Sequence, residues 1–480
     1  MTIGEKLYVA DKSTLDATKT ALDGLTSYLQ NLFNTQVTGT AKEAIEAGDL
    51  VCVEADGGIT LAERYKEISP ANLEVCQNND IAGASFAELT PTTALVVYSD
   101  AGDVSHLKAA VVTINDLTVT KGTVYEVAAE ASYRVSACKI ADNKVLIGWG
   151  NSASYKAVVA TVSGDTISFG TPVTVFAALP SGAKVDVLDT DKGLIVYSQT
   201  TSMYGRAFTV SGTDITLGTQ LSLGTMDNTQ NALQLTILSP ARALISYPYS
   251  SNRYVNTVNI SGTTLTIGTT SAPLTGNYGW TVVRLTDDTA LLIVGYNLCW
   301  ITTNGTNLLK GQLIAWAGSA PSFLMAVVLG TGKVLINYGD TSIMYCKIIK
   351  LEGNAYTLIE AEMAYPVSPY VYSGGWNLAK IALLKQGRAL SLANPSQNPN
   401  YRAHLTVLSY SEWQGIAQGS AAVGENVAVL QGGDAAVYTN LVPGRMYYQN
   451  KKTPAEFGPK KVGVALNATT LKITNPVWDR

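Results

Sequence analysis

The sequence predicts a mainly β fold, a seven-bladed β-propeller, from three observations. Seven apolar segments each carry a leucine, and these leucines are 51, 48, 50, 47, 44 and 55 residues apart: Leu95, Leu146, Leu194, Leu244, Leu291, Leu335 and Leu390. Five of the seven have an aromatic residue three positions later: Tyr98, Trp149, Tyr197, Tyr247 and Tyr338. An alternating strand and a turn of the Ser-Gly type then follow, as in residues 145–174. Such self-similarity, with several strands per repeat, is typical of a propeller.

The composition supports a folded, turn-rich protein and argues against nucleic-acid binding. Hydrophobic residues make up 46% and charged residues 15% of the 480, which is enough for a large core. The 42 glycines and 25 tyrosines suit turns and half-buried strands. The net charge is −4 and the chain has no basic cluster, so we expect no contact with nucleic-acid phosphates.

Neither secretion by a Sec-type signal nor membrane insertion is expected. The start, MTIGEKLYVADKS, has no basic segment followed by an apolar core. No run of 18 or more apolar residues occurs. The five cysteines are odd in number and scattered without paired spacing, which predicts buried thiols in a chain made in a reducing compartment.

The N-terminal segment, residues 1–38, contains a predicted helix that Asp11 or Ser13 can cap and that runs to about Phe33. Five leucines in it follow a heptad pattern: Leu15, Leu22, Leu25, Leu29 and Leu32. Such a seam is suited to a short coiled coil, and one this short is marginal alone. It therefore needs a partner, either a sister chain or the body of its own chain.

The propeller is expected to span residues 65–412, with four strands in each repeat. In the second repeat they are Arg134 to Ile140, a strand ending at Trp149, Tyr155 to Val162, and Thr166 to Val175. The seventh repeat lacks an outer strand after Leu408. Residues 65–77, before the first repeat, can supply that strand and close the ring, which would leave no exposed sheet edge there.

The connections predict two unlike faces. The turns after the first and the third strand of each repeat are minimal, and up-and-down connectivity places both sets on one face. The opposite face receives the second-to-third connections and the blade crossings, which we expect to be longer and irregular. Loops of this kind commonly carry function. Polar and aromatic residues assigned to this face form the predicted ligand-binding set: Tyr204, Arg206, Tyr249, Asn252, Tyr254, Asn277, Tyr278, Trp280, Tyr338, Asp340, Tyr370, Tyr372, Trp376, Asn377 and Tyr401.

Tyrosine and tryptophan beside asparagine and aspartate are what a sugar site requires. Flat rings pack on a sugar face, and short polar groups bind its hydroxyls. The aromatic residues of the leucine-bearing strands, by contrast, repeat as a column, which favours a structural role; Tyr338 belongs to that column and also begins a loop. Calcium remains conceivable at Asp287-Asp288 or Asp340, but no regular calcium-loop spacing occurs.

Catalytic motifs are not evident, so the sequence predicts a non-enzyme without cofactor or metal. The two histidines, His106 and His404, are expected in a loop and a strand, away from any nucleophile. No zinc-ligand cluster and no phosphate-binding glycine loop occurs. Glycosidases need a carboxylate pair, and the ionisable residues expected on inner strands have mixed signs: Glu88, Arg134, Lys184, Asp186, Arg284 and Lys380.

Short strand and turn motifs recur towards the end of the chain: Gly415-Ile-Ala417, residues 424–427, Leu441-Val-Pro-Gly444 with Tyr447-Tyr448, and Val462-Gly-Val-Ala-Leu466 with Thr469-Thr470-Leu471. These motifs resemble a small β-domain of bacteriophage tail-fibre and head-fibre proteins. That domain begins with an Ala-Gly-Asp-Leu-Val strand and an Asp-Gly turn, which here are Ala47-Gly-Asp-Leu-Val51 and Asp56-Gly57. The resemblance therefore implies a domain split into residues 39–64 and 413–480, with the propeller inserted into it.

What the resemblance implies is a virion protein, made in the host cytoplasm, that attaches a phage to its bacterial host. The expected partners are a bacterial surface glycan or receptor and other virion structural proteins. Because the family's fibres are commonly trimeric, the resemblance favours a homotrimer joined by the leucine seam. Several weak sugar sites on one particle would together give firm attachment. Two alternatives remain open, a structural decoration or spacer of head or tail and a surface-polysaccharide depolymerase.

Overall fold

The chain divides into two compact units, one of Met1–Lys66 with Tyr410–Arg480 and one of Glu67–Ser409. The computed structural model describes these residues: 36–42, 44–47, 50–53, 58–61, 67–68, 73–76, 81–115, 117–227, 233–271, 273–275, 279–317, 321, 323–330, 332–339, 344–352, 355–358, 363–364, 380–385, 388–393, 404–409, 415–418, 420–423, 425–430, 434–435, 446–450, 453–455, 460–465 and 471–473. The predicted N-terminal helix and its leucines, from Leu15 to Leu32, lie outside them.

The strands follow one another with little else between them. Five precede the first blade: β1 (Gln36–Ala41), β2 (Leu50–Val53), β3 (Gly58–Leu61), β4 (Glu67–Ile68) and β5 (Leu73–Glu74). The first four blades contain β6 (Ile81–Thr90), β7 (Thr93–Asp100), β8 (His106–Asn115), β9 (Thr118–Ala128); β10 (Tyr133–Ala141), β11 (Lys144–Gly150), β12 (Tyr155–Ser163), β13 (Thr166–Phe169), β14 (Val173–Phe176); β15 (Gly182–Asp189), β16 (Lys192–Gln199), β17 (Ser202–Ser211), β18 (Asp214–Leu217), β19 (Leu221–Thr225); β20 (Gln234–Ser239), β21 (Arg242–Tyr249), β22 (Asn252–Ser261), β23 (Thr264–Thr270) and β24 (Leu274–Thr275). A short 3-10 helix, Ala101–Asp103, joins β7 to β8.

The last three blades contain β25 (Trp280–Arg284), β26 (Thr289–Val294), β27 (Asn297–Asn304), β28 (Asn307–Ala315); β29 (Phe323–Gly330), β30 (Lys333–Gly339), β31 (Met344–Glu352), β32 (Ala355–Leu358), β33 (Met363–Ala364); β34 (Lys380–Lys385), β35 (Arg388–Ala393) and β36 (His404–Ser409). Seven strands follow them: β37 (Gly415–Ala417), β38 (Asn426–Leu430), β39 (Asp434–Ala435), β40 (Met446–Asn450), β41 (Thr453–Ala455), β42 (Lys460–Ala465) and β43 (Leu471–Ile473).

The seven sheets are antiparallel meanders, and the predicted seven-bladed propeller is confirmed. The leucine column lies on the second strand of every blade and is almost fully buried, from Leu95 to Leu390. Apolar side chains from both faces of each sheet pack against the adjacent blades, so the core lies between blades rather than in one central mass. Four cysteines, Cys76, Cys138, Cys299 and Cys346, are buried and form no disulfide.

Glycines in the repeat motif allow neighbouring blades to approach closely. A Cβ on Gly170, Gly218 or Gly268 would lie only 2.8, 2.5 or 2.6 Å from the carbonyl oxygen of Thr213, Thr263 or Thr306, each in the next blade. In blades 2 and 3 the outer strand is also interrupted just after this glycine, so the predicted strand from Thr166 to Val175 is divided into β13 and β14. The Leu/Ile/Phe-Gly-Thr ending of the repeat is therefore a packing requirement.

The ring closes as the sequence predicts, with residues from before the first blade completing the seventh. Ile68 in β4 pairs with Leu408, and Leu73 in β5 pairs with Leu405, so both short strands lie on the outer side of β36. Val75, which follows β5, is fully buried in an apolar cluster with residues of the first and last blades. The Lys121 ammonium of the first blade donates a hydrogen bond of 2.7 Å to the Val75 carbonyl.

The other unit contains two small sheets. A closed barrel in the order β1-β3-β2-β37-β38 combines strands from both ends of the chain; Val37, for example, pairs with Val429. Ile45, Val51 and Ile59 are buried in its core. A second sheet has the order β39-β43-β42-β40-β41. Within the part of the chain that the structure describes, no helix has the length and hydropathy to cross a membrane.

Candidate functional site

The connections between second and third strands and the blade-to-blade crossings share one face of the propeller, named here the upper face. The sequence predicts long, irregular second-to-third connections, and for three blades this is wrong. Thr200-Thr201, Ser250-Ser251 and Gly295-Tyr296 are two-residue turns. The turns of the opposite, lower face are short, as predicted, for example Asp142-Asn143 between β10 and β11.

Exposed apolar side chains distinguish the two faces. On the upper face Val104, Leu179, Tyr249 and Tyr296 are exposed, the two tyrosines by 43% and 42%. The described turns of the lower face expose no large hydrophobic side chain. Three blades contribute an exposed side chain to the upper face, and the crossing between blades 2 and 3 contributes Leu179. The exposed large apolar side chains of the described propeller turns and crossings therefore all lie on the upper face.

Backbone strain follows the same division. Seven described non-glycine residues have positive φ, and only Asp191 belongs to the lower face. The other six, all on the upper face, are Val104, Ser105, Arg134, Thr200, Ser250 and Ser251. Glycine takes this conformation in one upper-face turn, at Gly295, and in five lower-face turns, at Gly164, Gly212, Gly262, Gly305 and Gly332. Because a residue with a Cβ is disfavoured at positive φ, the upper face stores strain that glycine would remove, and such strain clusters at functional sites.

Blade 4 carries a group of stacked tyrosines at this face. Tyr249 meets Tyr254 edge-on at 6.0 Å between ring centroids, and Tyr254 stacks on the buried Tyr247, also at 6.0 Å. Asn252, beside them, donates its amide to the Ser250 carbonyl at 3.0 Å. The ring of Tyr249 is therefore held by its neighbours while it remains accessible to a ligand.

An arginine stacks on a tryptophan at the junction of blades 4 and 5. The Arg253 guanidinium carbon lies 3.8 Å from the ring centroid of Trp280, and both side chains are buried. Burial lowers the pKa of Arg253 to about 10, against the opposing effect of Asp227, so the guanidinium is charged at neutral pH. Arg253 Nε and Trp280 Nε1 have no acceptor among the described residues. This junction therefore holds two buried donors beside an aromatic ring.

The junction of blades 1 and 2 instead contains a cluster of polar side chains that are hydrogen-bonded to Glu130. Glu130, in the crossing, accepts 2.8 Å bonds from Trp149 Nε1 and Asn151 Nδ2, and both of its oxygens lie 3.0 Å from Lys156 Nζ. Burial alone would raise the pKa of Glu130, but these three donors outweigh it and keep that pKa below its usual value. The predicted column residue Trp149 thus also orients a carboxylate.

Glu130→Ala is expected to lower the free energy of unfolding at pH 7 by about 2 kcal/mol, because it leaves the buried Trp149 Nε1 and Lys156 without their acceptor. Since the folded pKa is depressed, the carboxylate stabilises the protein above its unfolded pKa, and that contribution is lost as the pH falls through the folded pKa. Urea unfolding of both proteins measures the difference. Asp142→Ala, at a fully exposed carboxylate, is the control; an equal loss there would contradict this role of Glu130.

A second charged cluster lies at the connection between β7 and β8. His106 Nδ1 is 3.1 Å from Glu126 Oε2 and 3.8 Å from Asp103 Oδ2, and the three side chains could together approach a metal ion. The Lys108 ammonium, however, lies 2.8 Å from Asp103 and 2.9 Å from Asp100. Lysine already supplies the positive charge, so the arrangement is that of an ion-pair cluster. The sequence pattern does not predict a metal site here, because Glu126 is distant in sequence from Asp103 and His106. His106 itself lies in β8 rather than in the predicted loop.

The structure separates the predicted ligand-binding residues into three groups. Tyr204, Arg206 and Tyr338 lie within strands: Tyr204 stacks on Tyr197 at 5.7 Å, Arg206 Nη1 donates to Val175 O, and the buried Tyr338 meets Trp316. Tyr249, Asn252 and Tyr254 come together at the upper end of blade 4, whereas Trp280 packs on Arg253; all four lie in strands rather than loops. The rest lie outside the described residues: Asn277, Tyr278, Asp340, Tyr370, Tyr372, Trp376, Asn377 and Tyr401.

No protein-family model matches the sequence, and no curated protein sequence matches it. Solved structures with a similar fold include a mutant of the Aleuria aurantia lectin in complex with alpha-methyl-L-fucoside: TM-score 0.38, 14% identity, 60% of this chain and 96% of that chain. A functionally unknown protein from Desulfotomaculum acetoxidans has a TM-score of 0.44 and 11% sequence identity, and the match covers 68% of this chain and 96% of that chain. The WD40 domain of Toxoplasma gondii coronin has a TM-score of 0.46 and 8% sequence identity, and the match covers 76% of this chain and 89% of that chain. At TM-scores this low, the similarities carry no argument about function.

Proposed function

We propose that the protein is a binding module that attaches to carbohydrate through the upper face of its propeller. The observation that supports this most is the asymmetry between faces: six of the seven described non-glycine residues with positive φ lie on the upper face, as do the exposed large apolar side chains of the described propeller turns and crossings. Tyr249 and Tyr296 offer flat surfaces for sugar rings, and Asn252 offers a short amide for hydroxyl groups. The described residues of this face suggest recognition rather than catalysis.

Within that function, we propose a phage virion fibre protein that attaches to a glycan on the bacterial host surface. This rests on the resemblance at the two chain ends, which would make the small β-domain the fibre part and the propeller the receptor-binding part. The leucine seam from Leu15 to Leu32 would join three chains, so that weak sites act together. Other virion proteins would hold the fibre on the particle after its synthesis in the host cytoplasm. Sedimentation equilibrium of the full chain tests the trimer.

The double variant Tyr249→Ala and Tyr296→Ala is expected to weaken binding to whole bacterial cells and to a glycan array about tenfold or more. Exposed rings that stack on a ligand each contribute on the order of 1 kcal/mol, and loss in every chain of an oligomer multiplies the effect. Surface plasmon resonance with the best array ligand measures the change.

Ile267→Ala with Leu309→Ala is the matched control, because both residues are exposed on outer strands away from the upper face. Binding that falls equally in both double variants, or in neither, would contradict an upper-face sugar site. Release of reducing ends from the polysaccharide would favour the depolymerase instead. Adsorption that persists in both variants while the array stays blank would favour a spacer role.

A further inference from the structure

The innermost strands of the seven blades form a closed circle, in which each contacts the next and β34 contacts β6. Strand register gives each blade one equivalent inner position, opposite the residue that lies two places after the column leucine; Lys184, for example, pairs with Val196. We name these seven residues the axial ring: Ser85, Ser136, Lys184, Gln234, Thr281, Met325 and Lys380. Two of them are lysines and none is a carboxylate, so the ring is positively charged.

Lys380 reaches from the seventh blade towards the axis of the propeller. Its ammonium donates to the Phe86 carbonyl of blade 1 at 2.7 Å and to the Ala137 carbonyl of blade 2 at 2.8 Å. A side chain can bind the inner strands of two other blades only if its end lies near the centre of the ring. Two of the three ammonium hydrogens are used in these bonds, and one remains for a ligand.

Lys184 presents a second ammonium to the same centre. The Lys184 side chain is half-buried and keeps some accessible surface. Among the described residues none accepts a hydrogen bond from this ammonium. Burial, and to a smaller extent the charge of Lys380, lower the pKa of Lys184 to about 8. The protein thus holds two neighbouring cations where solvation is poor, an arrangement that an anion between them would stabilise.

The serines of the axial ring add neutral donors. Ser85 Oγ accepts a 3.1 Å hydrogen bond from the Ala137 amide, and Ser136 Oγ accepts one of 3.2 Å from the Val185 amide. Because these bonds occupy oxygen lone pairs, each hydroxyl keeps its own hydrogen to donate. Two ammonium groups and two hydroxyl groups are a suitable donor set for an oxyanion.

We propose that the axial ring binds a small oxyanion, a phosphate or carboxylate group held between Lys184 and Lys380 with the Ser85 and Ser136 hydroxyls as further donors. Asp186 lies two residues further along β15, and its carboxylate is close enough to Lys380 and to the second carboxylate, Glu88, for their charges to interact. The Asp186 carboxylate repels an anion in the ring and keeps the affinity moderate. The site is separate from the upper face, so its existence does not depend on the proposed sugar binding.

Isothermal titration calorimetry of the full chain at pH 7 and constant ionic strength tests the proposal, with inorganic phosphate and glucuronate titrated in separate arms. We expect saturable binding of at least one of the two anions. The anion that binds distinguishes an inorganic phosphate ligand from a sugar-acid ligand. Lys184→Met should weaken that binding about tenfold or more, since a charge-assisted bond is lost. Asp186→Asn should strengthen it, because the opposing negative charge is removed.

Lys192→Met is the matched control, because Lys192 is an exposed lysine on the same blade. It should bind the anion as the parent does. Circular dichroism verifies that each variant remains folded. No saturable heat in either arm would overturn the proposal. So would binding that Lys184→Met and Lys192→Met reduce equally, because this would indicate unspecific surface charge.

Discussion

Val75→Asp is expected to lower the free energy of unfolding by about 4 kcal/mol or more, the largest loss we predict for a single substitution. Val75 is fully buried and follows the short strands that complete the seventh blade. Its cluster includes Phe86 of the first blade and Leu405 of the last. A carboxylate there would be buried among apolar side chains, and either its desolvation or its protonation would destabilise the fold.

The loss should exceed that of an ordinary core substitution because Val75 lies where the ring closes. The segment that holds β36 against the first blade comes from the opposite end of the propeller sequence, as the pairing of Leu73 with Leu405 demonstrates. If that segment detaches, β36 becomes an edge strand with unpaired backbone groups. Detachment of this segment should therefore open the ring and expose the apolar surfaces of the first and last blades at the same time.

Calorimetric unfolding of the full chain measures the effect, and Val104→Asp is the matched control. Val104 is 74% exposed, and its φ of 50° suits aspartate better than valine. The control should be as stable as the parent or slightly more so. Equal transition temperatures for the two variants would mean that residues 73–76 do not hold the ring together.

The ring architecture could be predicted from sequence because it depends on local, repeated features. The leucine column lies on the buried second strand of each blade, and its spacing set the number of blades. Ring closure followed from counting strands, since the seventh repeat was one strand short. Each inference needed only the order of residues along the chain.

The upper face could be predicted only in part, because its turns carry no conventional signal. A two-residue hairpin normally contains glycine or asparagine at positive φ. Ser250-Ser251 and Thr200 adopt such conformations without these residues, so the sequence suggested loops where the structure has tight turns. Tyr204 and Tyr254 were consequently placed in loops, although both belong to strands.

The polar clusters could not be predicted, because they join residues of different segments. Glu130 meets Trp149 and Lys156 only through the relative position of two blades. The sequence identifies Lys184 and Lys380 as ionisable inner-strand residues, but only the strand register shows that they occupy equivalent positions on their blades. The axial ring appears only when the repeats are aligned by the inner-strand residue opposite the position two places after the column leucine, because the partner of the leucine itself is a different residue, such as Asp186 opposite Leu194.

Lys184→Met is expected to raise the free energy of unfolding at pH 7 by about 3 kcal/mol when no anion is bound. Folding lowers the pKa of this lysine from 10.5 to about 8, and a difference of this size is equivalent to roughly that free energy. Methionine has a similar length, carries no charge and adapts to irregular apolar space. Urea unfolding in a buffer without phosphate or carboxylate measures the change.

The pH dependence distinguishes loss of the charge from better packing. The unfolded chain binds more protons than the folded one between about pH 8 and pH 10.5, so the stability of the parent should rise across that interval. Below pH 8 both states hold the proton and the full penalty applies. The advantage of Lys184→Met should therefore be constant below pH 8 and shrink above it, and Lys192→Met should follow the parent throughout. An advantage that persists undiminished above pH 10 would assign the gain to packing and remove the reason to expect two poorly solvated cations at the axis.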